Sequence, residues 1–164
     1  MRRFYFFIIS IAVIVLDYFT KKWIVDNLEL NEEISVIGDF FLITSHRNRG
    51  AAFGILQDQQ LFFIIITIVI LLGLLWYFYT VSKSARASLL VGLTLVFGGA
   101  IGNFVDRVRF GEVVDFFKFN FGSYTYPIFN IADAAIVIGV ILIIWDTLID
   151  IRNEKKGQVS SEHE

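Results

Sequence analysis

The chain has 164 residues, of which 56% are hydrophobic and 18% charged, and its net charge is −2 at pH 7. So apolar a composition is typical of an integral membrane protein, and the charge gives no reason to expect nucleic acid as a partner. The absence of Cys excludes disulfides and thiolate metal sites. The two His, His46 and His163, lie far apart, so we expect no zinc site, no other metal and no cofactor.

Four apolar segments are predicted to cross a membrane, since each approaches the roughly 20 residues that a spanning helix needs. They cover about residues 4–25, 61–79, 87–105 and 131–149. The first follows two Arg, as a signal peptide would, but no small-residue cleavage site comes after it, so we expect it to be retained. The sequence therefore predicts an all-α membrane protein with four transmembrane helices in a single domain over residues 1–150.

Two long loops, residues 26–60 and 106–130, connect these segments on one side of the membrane. The first contains the strand-like run EISVIGDFFLITSHR, which Gly38 and Asp39 divide like a hairpin turn. We expect a small extracytoplasmic β-sheet formed mainly by this loop. Lys and Arg are denser at the termini and the short turn, which favours both termini in the cytoplasm. The polar tail over residues 151–164 is expected to be cytoplasmic and unstructured.

Polar residues collect near the loop-side ends of the predicted helices. Asp17 and Lys21 are four residues apart and share a helix face, where a salt bridge is the favoured interpretation and direct chemistry the alternative. On the third helix Asn103, Asp106 and Arg107 share a face. The residues thus predict a concentration of charge at one membrane boundary.

Asp115 follows the third helix, and Asp133 opens the fourth beside Asn130. Consecutive helices joined by a loop are antiparallel, so both aspartates belong to the same end of the bundle. Two close carboxyls share one proton, which makes one a base and the other an acid at the same pH. Such a pair can activate water and hydrolyse a peptide bond.

Two alternatives remain open from the residues alone. Intramembrane Asp and Arg are also what a proton or ion transporter needs. Carboxylates are hard oxygen ligands as well, so a Mg²⁺ site for phosphoryl chemistry is a third interpretation. Transport predicts polar residues through the whole span, and a metal site predicts carboxylates at short spacing; the sequence has neither pattern.

Five motifs in order resemble one known family. They are DYFTK (17–21), NRGAAFG (48–54), GGAIGNFVDR (98–107), GEVVDF (111–116) and PIFNIAD (127–133). Together they resemble the bacterial lipoprotein signal peptidases, also called signal peptidase II, which are aspartic peptidases with four transmembrane helices. Thr20 stands where this family usually has Ser, and Tyr126 where it commonly has Trp; both keep the chemical character.

The resemblance implies a role for each matching residue. The implied catalytic pair is Asp115 and Asp133; the implied substrate-binding residues are Asn48, Gly50, Asn103, Arg107 and Asn130; and the implied supporting polar pair is Asp17 and Lys21. Residues 53–60 are expected to form a mobile cover over the site.

The resemblance also implies the reaction and its setting. The expected substrate is a prolipoprotein whose Cys carries diacylglycerol, and the expected cut lies just before that Cys. The expected inhibitor is the cyclic peptide globomycin. We further expect a multi-pass monomer in the bacterial cytoplasmic membrane, in contact with membrane lipid and with its active site near the outer face.

Overall fold

The computed structural model describes residues 5–50 and 55–161, with side chains as far as Asn153. Within these residues the chain forms four helices and four strands. The helices are α1 (Phe6–Asn27), α2 (Gln60–Val81), α3 (Ala87–Phe110) and α4 (Ile131–Ser161). The strands are β1 (Glu33–Ile37), β2 (Phe41–Asn48), β3 (Val113–Phe121) and β4 (Tyr124–Thr125).

Three of the described helices are long and apolar enough to cross a membrane: Gln60–Val81, Ala87–Phe110 and Ile131–Asn153. Helix α1 is as long as α2, with 22 residues, but it carries Asp17, Lys21 and Lys22 in its second half. Three of the four predicted spans therefore match candidate membrane helices, and a crossing by α1 stays a prediction.

Helix α3 lies at the centre and packs against α1, α2 and α4. Glycines make the approach close. A Cβ added at Gly98 would lie 2.9 Å from the Ser10 backbone of α1, and one added at Gly99 would lie 2.3 Å from the Ala132 carbonyl oxygen of α4. Small residues are what allow helix backbones to come this near. The close helix contact at the GGAIG run is thus made on two sides, with α1 and with α4.

The four strands form one antiparallel sheet in the order β1-β2-β3-β4. The predicted turn between β1 and β2 is confirmed, with Gly38 in the left-handed region at φ 48°. The first loop supplies β1 and β2, as predicted, and the second loop adds β3 and β4, including the longest strand, β3, with 9 residues. Stacking between Phe41 and Phe119, at 4.6 Å, joins the two loops.

Two element ends differ from the prediction. Helix α3 continues to Phe110 and ends where Gly111 adopts φ 76°, a left-handed conformation that suits glycine. Helix α4 continues to Ser161, so the expectation of an unstructured tail was wrong as far as that residue. The last three residues, 162–164, lie outside the described part of the chain.

Candidate active site

Asp115 is placed by strand β3 and is 1% exposed. Two side-chain amides hold its carboxylate: Asn48 Nδ2 donates to Oδ2 at 3.0 Å, and Asn130 Nδ2 donates to Oδ1 at 2.7 Å. Asn48 comes from the neighbouring strand β2, which pairs with β3 in this region. The carboxyl group is therefore fixed from two sides.

Asp133 is placed by the first turn of α4. Its backbone N–H donates to Asn130 Oδ1 at 2.9 Å, and its Oδ2 accepts the Asn130 backbone N–H at 3.2 Å. This reciprocal pair is a capping box, which satisfies donors that the start of a helix leaves free. The other carboxylate oxygen, Oδ1, accepts the Asn103 side-chain amide at 2.7 Å.

Two asparagines connect the two aspartates. Asn130 Nδ2, which contacts Asp115, also donates to Asn103 Oδ1 at 3.1 Å, and Asn103 in turn donates to Asp133. The chain from one carboxylate to the other thus runs through two amides contributed by α3 and the start of α4. These four predicted site residues, Asn103, Asp115, Asn130 and Asp133, therefore lie together at one end of the bundle.

Both aspartates line one cavity of about 490 Å³. Its polar end includes Asn48, Gly50, Arg107, Asp115 and Asp133. Its other wall follows α4 and the segment before it, where the apolar lining is Pro127, Ile128, Phe129, Ala134, Ile136, Val137 and Ile138. The cavity therefore combines two carboxyl groups with an apolar trough along a candidate membrane helix.

Arg107 and Gly50 form one edge of this cavity. Arg107 Nη2 donates to the Gly50 carbonyl oxygen at 3.2 Å, and its guanidinium lies 4.7 Å from the centre of the Phe63 ring. Gly50 N–H donates to Asn48 Oδ1 at 2.9 Å. Of the expected cover over residues 53–60, residues 53 and 54 lie outside the described part; Ile55 lies against Gly50.

The predicted salt bridge between Lys21 and Asp17 is confirmed at 2.7 Å. Lys21 has two further partners, Asp106 Oδ2 at 2.9 Å and Asn103 Oδ1 at 3.0 Å. Asp106 was not among the predicted site residues. Its position three residues after Asn103 placed both on one face of α3, and that spacing was the available signal. The Lys21 ammonium therefore bonds the Asn103 side-chain amide, and the same amide donates to Asp133.

Burial raises the pKa of Asp115 to about 7, and the negative charge of Asp133 acts in the same direction. Hydrogen bonds from Asn48 and Asn130 and the Lys21 charge lower this pKa by smaller amounts. A carboxyl that keeps its proton near neutral pH can serve as a general acid. Among residues 5–50 and 55–153, no three His, Asp or Glu side chains form a group that could hold a metal ion.

Known proteins resemble this chain over most of its length. A family described as Signal peptidase (SPase) II matches residues 9–149. The Lipoprotein signal peptidase of Bacillus pumilus (strain SAFR-032) is 49% identical over 155 residues, which cover 93% of this chain and 98% of that relative. The protein of the same name from Staphylococcus aureus (strain MRSA252) is 47% identical over 154 residues, 93% of each chain.

Two solved structures have a similar fold. One, described as "Bacterial membrane enzyme structure by the in meso method at 2.3 A resolution", has a TM-score of 0.82 and 47% identity, and covers 89% of this chain and 88% of its own. A second, at 1.9 A resolution, has a TM-score of 0.77 and 47% identity over 86% of this chain and 90% of its own. Sequence and fold thus point to the same group of membrane proteins.

Proposed function

The chain belongs to the signal peptidase II family, peptidases of the bacterial membrane, and from this premise we propose that Asp115 and Asp133 are its catalytic pair. The substrate class is prolipoprotein. The bond cut is the one before a Cys that already carries diacylglycerol. The observation that carries the proposal is that both carboxyl groups line the polar end of one cavity whose other wall is apolar.

The pair divides its work between a base and an acid. The ionised carboxylate takes a proton from water, and the resulting oxygen attacks the peptide carbonyl carbon. The protonated carboxyl donates its proton to the carbonyl oxygen, and a proton later passes to the departing amine. Asp115 suits the acid role, because burial and the charge of Asp133 raise its pKa to about 7. Apparent pKa values belong to the pair as a whole.

The rest of the cavity suits an extended peptide joined to lipid. Asn48 lines the cavity and offers an amide donor and acceptor that match a peptide backbone. Asn103 and Asn130, also predicted to bind substrate, are buried and bond the two carboxylates instead. Arg107 holds the Gly50 carbonyl oxygen at the edge, so these two residues shape the entrance. The apolar trough beside α4 fits acyl chains or the apolar part of a signal peptide. Membrane lipid and globomycin, which competes with substrate, are the other expected ligands.

The burial of the charged residues of α1 supports a membrane crossing by this helix. Asp17 and Lys21 are 1% and 4% exposed, so the charges of α1 face protein rather than lipid. The same helix exposes Ile8, Ile11 and Phe19 outward. A helix with inward charges and an apolar outer surface can cross a bilayer. We therefore propose four spans in one unit over residues 1–150. The density of Lys and Arg supports a tail from residue 151 in the cytoplasm together with the N-terminus, and we further propose a site near the outer face and a monomer.

Transport, the alternative interpretation, gains no support from relatives named as peptidases. The test of the proposed function is direct: the purified protein is incubated with a prolipoprotein that carries diacylglycerol and with the same precursor lacking it. We expect release of the signal peptide from the first only. Equal cleavage of both, or of neither, would contradict the proposal.

A further inference from the structure

The backbone N–H of the residue just before each proposed catalytic aspartate donates to a buried carboxylate on a different element. Before Asp133, the N–H of Ala132 donates to Asp17 Oδ1 at 3.0 Å. Before Asp115, the N–H of Val114 donates to Asp106 Oδ2 at 3.4 Å. The two aspartates lie on different elements, α4 and β3, yet each is preceded by the same kind of contact.

One ammonium group joins these two contacts. Lys21 Nζ lies 2.7 Å from Asp17 and 2.9 Å from Asp106, and it donates to Asn103 Oδ1 at 3.0 Å. An ammonium has three donors, so these three partners account for all of them. Lys21 is 4% exposed, and a buried charge with this many partners holds each of them in place.

A second ion pair, with a buried carboxylate and a partly exposed arginine, provides a comparison at the other end of the helices. Asp146 on α4 is 2% exposed; it accepts a hydrogen bond from Ser88 Oγ at 2.5 Å and lies 3.5 Å from Arg86 Nη1. Those residues join α3 to α4 without contact to Asp115 or Asp133. The Lys21 cluster differs, because two of its members bond backbone next to the reacting groups.

From the proposed roles of Asp115 and Asp133, on which this inference rests, we propose that Asp106 is a positioning residue. Asp106 holds the Val114 peptide and so fixes Asp115, while Asp17 does the same for Asp133 through Ala132. Lys21 couples the two, so that one buried cation aligns both carboxyl groups.

The arrangement predicts a charge effect on the reaction as well as a geometric one. Charged or titratable groups reach Asp115 from every neighbouring element: Asp133 on α4, Lys21 on α1, Asp106 and Arg107 on α3, and His46, its partner on β2. Removing the negative charge of Asp106 makes loss of a proton from Asp115 easier. Removing the positive charge of Lys21 makes it harder. The two neutral variants should therefore move the alkaline limb of the pH–rate profile in opposite directions.

The experiment compares Asp106→Asn, Asp106→Leu and Lys21→Met with the control Asp146→Asn, using lipidated precursor. Asp106→Asn keeps an acceptor for the Val114 N–H, so its loss of kcat should be clearly smaller than that of Asp106→Leu, where we expect about a hundredfold. KM should change by less than about threefold in both, since misplacement of the reacting groups affects chemistry more than binding. The alkaline limb should move to lower pH in Asp106→Asn and to higher pH in Lys21→Met.

The control separates positioning from stability. Asp146→Asn should lower the unfolding temperature but leave kcat and the pH profile as in the unmutated protein. The inference is overturned if Asp106→Leu keeps the unmutated kcat, or if both neutral variants leave the pH profile unmoved. Those outcomes leave the proposed function intact as long as Asp115→Asn and Asp133→Asn remain inactive; activity in these two variants would instead defeat the proposed function itself.

Discussion

The side-chain amide of Asn130 donates to the Asp115 carboxylate at 2.7 Å, while the same residue exchanges two hydrogen bonds with Asp133. Asn130 is fully buried and is the residue before α4. The start of a helix is thus built from the residues proposed to do the chemistry. Any change of Asn130 acts on folding through the helix cap and on catalysis through Asp115, and the two effects can be separated.

Asn130→Ser should retain the fold but lose rate. Serine caps helices about as well as asparagine, but its short side chain does not reach Asp115. We expect kcat to fall at least about tenfold because the acid is no longer held. The unfolding temperature should fall moderately, because buried acceptors of Asn103, Val114 and Asp115 lose their donor. Asn130→Ala loses the cap as well and should be less stable by about 1 kcal/mol. Unmutated kcat in Asn130→Ser would contradict the link to Asp115.

Asp115→Asn and Asp133→Asn should each abolish cleavage while the protein still inserts and folds. An amide has the shape of a carboxyl group but can neither take up nor release the proton in turnover. The rate of cleavage should fall by more than about a thousandfold, measured as signal peptide released from lipidated precursor. Size-exclusion chromatography in detergent checks that each variant is folded. Cleavage at near-normal rates by either variant would exclude the pair.

Activity should decline above neutral pH. Asp115 has its pKa raised to about 7, so it is mostly protonated below that pH and mostly ionised above it. The pair needs one proton to donate, and therefore kcat/KM should fall by about tenfold per pH unit beyond the upper apparent pKa. A rate profile measured between pH 5 and 9 on a precursor without titrating groups near the cut provides the check. A profile that rises steadily through pH 9 would be incompatible with an acid of this pKa.

Residue spacing in the sequence predicted part of the candidate site. The four-residue spacing of Asp17 and Lys21 correctly indicated an ion pair, because such residues are neighbours on any helix. The contact between Lys21 and Asp106 was not predictable in this way, since it joins different helices and depends on how closely the glycines of α3 allow α1 to approach. The predicted third span ended at about residue 105, where the apolar run stops, but the helix itself continues to Phe110 and ends at Gly111.

The sheet, too, could be predicted from the sequence only in part. Alternating residues and Gly38 indicated the first hairpin, but the pairing of β2 with β3 joins segments far apart in sequence. Such pairing is set by tertiary contacts such as the stacking of Phe41 on Phe119, for which neither strand carries a local signal. The resemblance to a family predicted the site residues. The hydrogen bonds that join them became visible only in three dimensions.

Gly99→Ala should be destabilising and should reduce activity. A Cβ at this position would lie 2.3 Å from the Ala132 carbonyl oxygen, so the first turn of α4, including Asp133, must move. We expect a loss of about 1–3 kcal/mol in stability, as for other overpacked cores, and a fall in kcat. Gly73→Ala is the matched control, since a Cβ there has nothing within 4 Å and alanine favours helix. Equal behaviour of the two variants would argue against close packing at Gly99.

Filling the apolar trough should weaken binding without disturbing the fold. Ala134 lines the cavity one residue after Asp133, so Ala134→Phe places a ring where acyl chains or signal peptide are proposed to lie. We expect kcat/KM for lipidated precursor and the affinity for globomycin both to fall by at least about tenfold, a typical effect of a lost apolar contact in a pocket. Ile141→Phe, on the same helix but 58% exposed and away from the cavity lining, is the control and should behave like the unmutated protein. If Ala134→Phe binds globomycin as tightly as Ile141→Phe does, the trough is not where the inhibitor and the substrate bind.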